Sequence, residues 1–142
     1  MKAQGGFTLI EIMVVLLIIA GLAYIVGTNV MGSFNKSKVE QTKIQIKSLE
    51  GALKLFKLDN SFYPETQQGL DALIQMPTVG REACCYSKEA YLDGDLVPLD
   101  GWKSEYIYIG PDQTGDGTYE IISLGEDGVE QTEDDISSRT IR

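Results

Sequence analysis

Glu11 is the one charged side chain in an otherwise apolar run from Phe7 to Val30, and its presence there needs a chemical reason. An uncompensated carboxylate inside a bilayer costs roughly 3 kcal/mol or more, so intramembrane acids usually have a partner. No cation lies within the run. Two small residues, Gly5 and Gly6, precede it, whereas a secretory leader is cut at small residues that follow its apolar region. Cleavage after Gly6 accounts for both features. Phe7 then carries a positive α-amine at the edge of a hydrophobic helix, and Glu11 is a counter-charge one turn away, for its own amine or for a neighbour's. Helices offset by about one turn in a bundle can pair amine with carboxylate, which fixes the register of an assembly. Burial makes such a pair a determinant of specificity more than of stability. Gly6 and Phe7 are therefore the expected processing residues, and Phe7 and Glu11 the expected assembly residues. The alternative is an uncleaved single-pass anchor with a tolerated acid.

A second constellation sits near the other end, in Ser123 to Ile136. Glu126, Asp127, Glu130, Glu133, Asp134 and Asp135 crowd one glycine-containing stretch. So much negative charge is unfavourable unless it is solvated or neutralised. From the residues alone a solvated loop is the simpler reading. A hard cation held by oxygens is the other, and calcium suits it better than magnesium because it accepts six to eight ligands in flexible geometry. Asp112 to Gly117 partly mimics a calcium loop, but its twelfth position is Ser123 rather than Glu, so an EF-hand is not expected there.

Other chemistry is limited. The chain has no His, which removes Ser-His and Cys-His nucleophile pairs. Cys84 and Cys85 are adjacent and fit no zinc pattern; outside the cytoplasm they are open to oxidation. No enzyme is expected. The charge is divided: residues 1–60 hold seven lysines and four acids, a net of +3, and residues 61–142 hold five basic and seventeen acidic residues, a net of −12. The acidic globular part argues against nucleic acid as a partner, which needs a basic footprint.

The elements that must position these groups follow from periodicity. Phe7 to Val30 exceeds the roughly 18 apolar residues of a membrane-spanning helix. Val39, Ile46, Leu49, Leu53 and Phe56 continue as a helical stripe through an amphipathic half over residues 31–59, closed by Asp59-Asn60-Ser61. Gly27, Asn29 and Gly32 are where that helix would bend or melt. Thr66 is expected to cap a short helix carrying Leu70, Leu73 and Ile74 and ending before Pro77. Asp100-Gly101 marks a turn, Trp102 a core or lid residue. Tyr106 to Ile109 and Tyr119 to Leu124 are expected to pair as a hairpin. The fold class is α+β: a long N-terminal helix, its first half transmembrane, packed on a small antiparallel sheet with a short second helix. The expected division is a leader over 1–6, a transmembrane half-helix over 7–30, an amphipathic half over 31–59, and a globular domain over 60–142.

GGFTLIEIMVVLLIIAGL resembles the class III leader and N-terminal helix of type IV pilins and type II secretion pseudopilins. FKLDNSFYPETQQGLDAL resembles the YKLDNGxYPTTEQGLxAL segment of the major pseudopilins, and LVPLDGWKSEYIYI is similar to their LPxDPWGNxYxY, with Gly101 in place of Pro and Lys103 in place of Gly. The acidic stretch is similar to their SLGxDGxxxTEDDI calcium loop, while Ser137 to Arg142 differ from the usual ending. The resemblance implies cleavage between Gly6 and Phe7 by prepilin peptidase, N-methylation of Phe7, and an assembly role for Glu11. It turns the balance at the acidic loop toward calcium, with the carbonyls of Leu124 and Val129 and the carboxylates of Asp127, Asp134 and Asp135 as ligands. It also implies a structural subunit of the type II secretion pseudopilus, a filament driving export of folded proteins across the outer membrane. Its partners would be further copies of itself, minor pseudopilins, the peptidase and an inner-membrane assembly platform. The chain would sit single-pass in the bacterial inner membrane, its N-terminus cytoplasmic before processing and its globular domain periplasmic. Lys2 favours that side for the N-terminus, and the leader type decides the orientation. A major pilin for adhesion or motility is the alternative within the superfamily; a membrane-tethered calcium-dependent binding module is the alternative outside it.

Overall fold

The computed structural model describes residues 8–141, without the side chains of 26–33. Gly6 and Phe7 lie outside the described residues. The chain divides into two units, Met1–Lys36 and Ser37–Arg142. One helix, α1 (Leu9–Asn60), contributes to both.

In the first unit the described side chains from Leu9 to Ile25 are exposed on every face, including Leu9 at 80% and Leu17 at 71%. A helix apolar all round has no polar face to offer water. Among the described residues no helix is long and apolar enough to cross a membrane. The expected span over 7–30 extends beyond them, because side chains past Ile25 fall outside the description until Phe34.

In the second unit the amphipathic stripe buries as its spacing predicts. Ile46, Leu49, Leu53 and Phe56 are fully covered, and Val39 packs against the same core. Phe56 is its aromatic centre, with ring centroids 5.6 Å from Phe62 and 5.4 Å from Tyr91. α1 ends where the turn formers are: the Ser61 N–H closes back on the Lys57 carbonyl at 2.7 Å, and Ser61 adopts a left-handed φ of 69°.

The sheet is antiparallel, in the order β1 (Ile107–Ile109), β2 (Glu120–Ser123), β3 (Ile136–Ser137). Tyr108 pairs with Ile121, and Ser123 with Ile136. Tyr108 and Ile121 face the core, and the Tyr108 hydroxyl donates to the Pro64 carbonyl at 2.8 Å. Burial pushes the Tyr106, Tyr108 and Tyr119 phenols far up, so all three stay neutral. The β1–β2 pairing follows expectation, but its connection carries one helical turn, α2 (Pro111–Thr114), and β3 had no sequence signal longer than Ile136.

The short second helix is present and ends before Pro77, but its expected cap at Thr66 is a correction. It is a single 3₁₀ turn, Leu70–Leu73, preceded by Gly69 at φ 62° and with no side-chain cap. The left-handed Gly69 stops helical geometry from propagating back to Thr66. Thr66 is used elsewhere: its N–H and hydroxyl donate to the Asp112 carboxylate at 2.7 and 2.9 Å, and its hydroxyl accepts the Gly110 N–H at 2.9 Å. It ties the Pro64 segment to α2. Gly101 is a close approach: its N–H donates to the Thr42 hydroxyl at 3.0 Å, and a Cβ there would lie 2.5 Å from the Lys38 carbonyl oxygen. Trp102 is half-buried against the core, as expected of it.

Candidate functional site

The acidic loop leaves β2 after Ser123 and returns at Ile136, and these two residues are paired neighbours. Its sharp turns need left-handed backbone at Gly125 and Gly128. At Gly125 the Asp134 carboxylate lies where a side chain would go, so glycine is required there on both counts.

Thr132 is the hub of the loop. Its hydroxyl lies 2.7 Å from Asp134 Oδ1, 3.1 Å from the Val129 carbonyl and 3.4 Å from Asp127 Oδ1. One hydroxyl has one hydrogen to donate. Three oxygens therefore converge where only one can be satisfied by it, Asp127 Oδ1 taking the Val129 N–H at 2.9 Å besides. The second Asp134 oxygen accepts the N–H groups of Glu126 and Asp127 at 2.7 and 3.1 Å. These bonds, the Thr132 hydroxyl foremost, hold the Asp134 carboxyl below its ordinary value. Asp135 Oδ2 accepts the Gln131 and Thr132 N–H groups at 2.7 and 3.3 Å, while its Oδ1 is buried without a hydrogen-bond partner.

Of the five residues expected to hold calcium, the structure thus gathers Asp127, Val129 and Asp134 around one point. Asp135 adds an orphaned oxygen, and Leu124 stands at the base beside β2 with no bond joining it to that group. Among the described residues no set of three or more acidic, Cys or His side chains is arranged to hold a metal ion. The donor set is instead two carboxylates and a carbonyl, with surplus acceptors and a buried unpaired oxygen. That combination fits a hard cation with oxygen ligands. Thr132 escaped the sequence reading, although Thr132-Glu133-Asp134-Asp135 has the S/T-x-x-D/E spacing of a capping box.

A box of the same spacing opens α1. The Thr8 N–H and hydroxyl both donate to Glu11 Oε2 at 2.9 Å, and the Glu11 N–H donates to the Thr8 hydroxyl at 3.3 Å. Glu11 stands out in the sequence by its charge, and Thr8-Leu9-Ile10-Glu11 also has the spacing of a cap. The box turns the carboxylate toward the N-terminal end of the helix.

The type II secretion system protein G family matches residues 29–139, and the prokaryotic N-terminal methylation motif matches residues 1–20. The chain belongs to the type II secretion system protein G family. The core protein G of Klebsiella pneumoniae is 45% identical over 143 residues, covering 99% of this chain and 98% of that one. The core protein G of Escherichia coli K12 is 43% identical over 135 residues, covering 95% and 90%. The crystal structure of the major pseudopilin from the type 2 secretion system of enterohaemorrhagic E. coli superposes with a TM-score of 0.67 at 37% identity, covering 78% of this chain and 93% of that one. The α+β fold is thus that of a pilin-like protein, and a protein G chain with the methylation motif is a membrane-anchored one. Of the superfamily alternatives, secretion is the one these relatives bear out; their names carry no adhesion or motility pilin.

Proposed function

We propose that this chain is the repeating subunit of a type II secretion pseudopilus. The filament is rooted in the bacterial inner membrane, and its growth at the base pushes folded proteins from the periplasm through an outer-membrane channel. The observation that supports this most is the protein G match over residues 29–139, joined on one chain to the methylation motif over residues 1–20. Prepilin peptidase cuts between Gly6 and Phe7, and Phe7 is then N-methylated. The Thr8 box holds the Glu11 carboxylate toward the end of the helix at which that cut creates an ammonium. Glu11 pairs with the Phe7 amine of a neighbouring copy and sets the offset between subunits. The exposed side chains of Leu9 to Ile25 are stored in lipid before assembly and meet other copies after it. Further partners are the minor pseudopilins and the assembly platform. The role is structural rather than catalytic.

Calcium belongs to the acidic loop in this reading. Asp127, the Val129 carbonyl and Asp134 would hold it, with Asp135 and the Leu124 carbonyl as further ligands. Bound there, calcium would supply positive charge to oxygens that the single Thr132 hydrogen leaves unneutralised. A cation here orders the loop and thereby the β2–β3 end of the sheet.

The N-terminal residue of the mature protein, read by mass, tests the processing step. A methylated Phe7 is expected; a mature protein that still begins with Met1 refutes it. Deletion of the gene should abolish release of exported proteins while leaving surface pili intact. Cross-linking of membranes should give ladders of multimers, which a solitary membrane-tethered binding module would not yield.

A further inference from the structure

We propose that Cys84 and Cys85 form a reversible vicinal dithiol–disulfide couple, a redox modification site on the loop beside the C-terminal end of α1. Both side chains are exposed, and their sulfurs lie 3.1 Å apart. The backbone beneath them is fixed. The Cys85 N–H donates to Asn60 Oδ1 at 3.2 Å, and the Asn60 amide donates to the Phe56 carbonyl at 3.1 Å and to the Tyr91 hydroxyl at 3.2 Å. Tyr91 in turn donates to Asp59 at 2.9 Å and accepts the Ser87 N–H at 3.1 Å. The loop is therefore held to the helix end at Cys85 and again at Ser87, with the two sulfurs already in contact.

The chemistry is thiol–disulfide exchange with an oxidant of the disulfide class. The Cys84 thiolate attacks one sulfur of the oxidant, forming a mixed disulfide and releasing the oxidant's first thiolate. The Cys85 thiolate then attacks Cys84 Sγ, closing the internal bond and releasing the second thiolate. Two electrons pass to the oxidant, and two protons leave the pair. Hydrogen bonding and charge from Cys84 push the Cys85 thiol up, which makes Cys85 the resolving rather than the first attacking sulfur. Adjacent Cα atoms are about 3.8 Å apart, less than the roughly 4.4–6.8 Å usual for bridged cysteines. The closed ring is therefore strained. Strained, exposed disulfides are the readily reduced, regulatory kind rather than structural staples. An oxidising compartment follows from the periplasmic placement proposed above, but closure itself does not depend on assembly or secretion.

Purified full-length protein in detergent tests it. Thiols are counted by alkylation and mass after incubation with oxidised glutathione, then again after dithiothreitol. Two alkylatable thiols should fall to none, with the monomer lighter by two hydrogens and the linkage mapping within one peptide; dithiothreitol should restore both. Cys84→Ser and Cys85→Ser should each give a glutathione adduct or a covalent dimer instead. A parent protein that ends as a glutathione adduct, as a covalent dimer or with both thiols intact overturns the couple. Because the readout is made on isolated chains, it stands or falls separately from the filament.

Discussion

Asp100 and Ser123 meet in the interior, with the Ser123 hydroxyl donating to Asp100 Oδ2 at 2.6 Å. The other Asp100 oxygen accepts the Trp102 and Ser104 N–H groups at 2.9 and 2.8 Å. One buried carboxylate thus joins the Gly101 turn to the last residue of β2, where the acidic loop begins. Removing it leaves three donors short of a partner. Asp100→Ala should cost about 3 kcal/mol of stability. Thermal unfolding of the parent and variant proteins measures it, and a loss under about 1 kcal/mol would refute the joint's importance.

In the same turn Lys103 stands at φ 71°. A left-handed conformation costs a non-glycine residue about 1–2 kcal/mol, partly offset because glycine has more freedom to lose on folding. Lys103→Gly should therefore stabilise by about 0.5 kcal/mol. A rise in melting temperature checks it; a fall would mean that the lysine side chain makes a compensating contact.

The loop predictions concern calcium. Added calcium should raise the melting temperature of the parent, by an amount equivalent to about 2.7 kcal/mol at a hundredfold excess over Kd. Asp127→Ala and Asp134→Ala should abolish that rise. Thr132→Val removes the competing hydroxyl but keeps the oxygens, so it should destabilise the chelated protein while leaving a calcium response. Identical melting in calcium and in chelator would remove the ion from the loop.

At the N-terminus, Glu11→Ala should leave the protein inserted and processed and reduce sheared filament yield at least tenfold. Thr8→Ala removes the two hydroxyl bonds of the box but keeps the Thr8 N–H bond and the charge, so its yield should fall by less than threefold. Equal losses in the two variants would mean that Glu11 acts through the cap alone.

Acid stability should depend on Asp116. The Thr118 hydroxyl and N–H donate to its carboxylate at 2.6 and 3.0 Å, and Arg139 lies at 3.1 Å. Together, the Thr118 bonds foremost, they lower its pKa from 3.8 to about 2. The unfolded chain takes up the proton first as pH falls, so the contribution is complete above 3.8 and disappears between there and about 2. Asp116→Asn should flatten the melting-temperature profile across that window and leave its shape near neutrality unchanged. An unaltered acid limb would contradict this.

The stripe from Val39 to Phe56 was legible because burial on a helix face imposes a period. The β1 and β2 strands were legible because β-branched and aromatic residues cluster at Tyr106 to Ile109 and Tyr119 to Ile122. β3 was not, since two residues carry no period and Ile136 acquires strand geometry only by pairing with Ser123. Thr66 misled for a related reason. A threonine before a helical pattern reads as a cap, but its partners at Gly110 and Asp112 are more than forty residues away in sequence. In the acidic loop the acids were visible one by one, whereas the hub at Thr132 and the orphaned oxygen of Asp135 depend on how the chain doubles back.

That doubling back has a practical side. The segment from Leu124 to Asp135 starts and finishes at one rung of the ladder, Ser123 opposite Ile136. Bringing its ends together is the work of the sheet, and doubling the length of such an excursion costs only about 0.6 kcal/mol more. A peptide epitope grafted at exposed Glu130 would therefore add little closure cost, while parting Val129 from Thr132 would take away the loop's calcium response. A fibre made of such chains would display that epitope once per subunit, at regular intervals along its length.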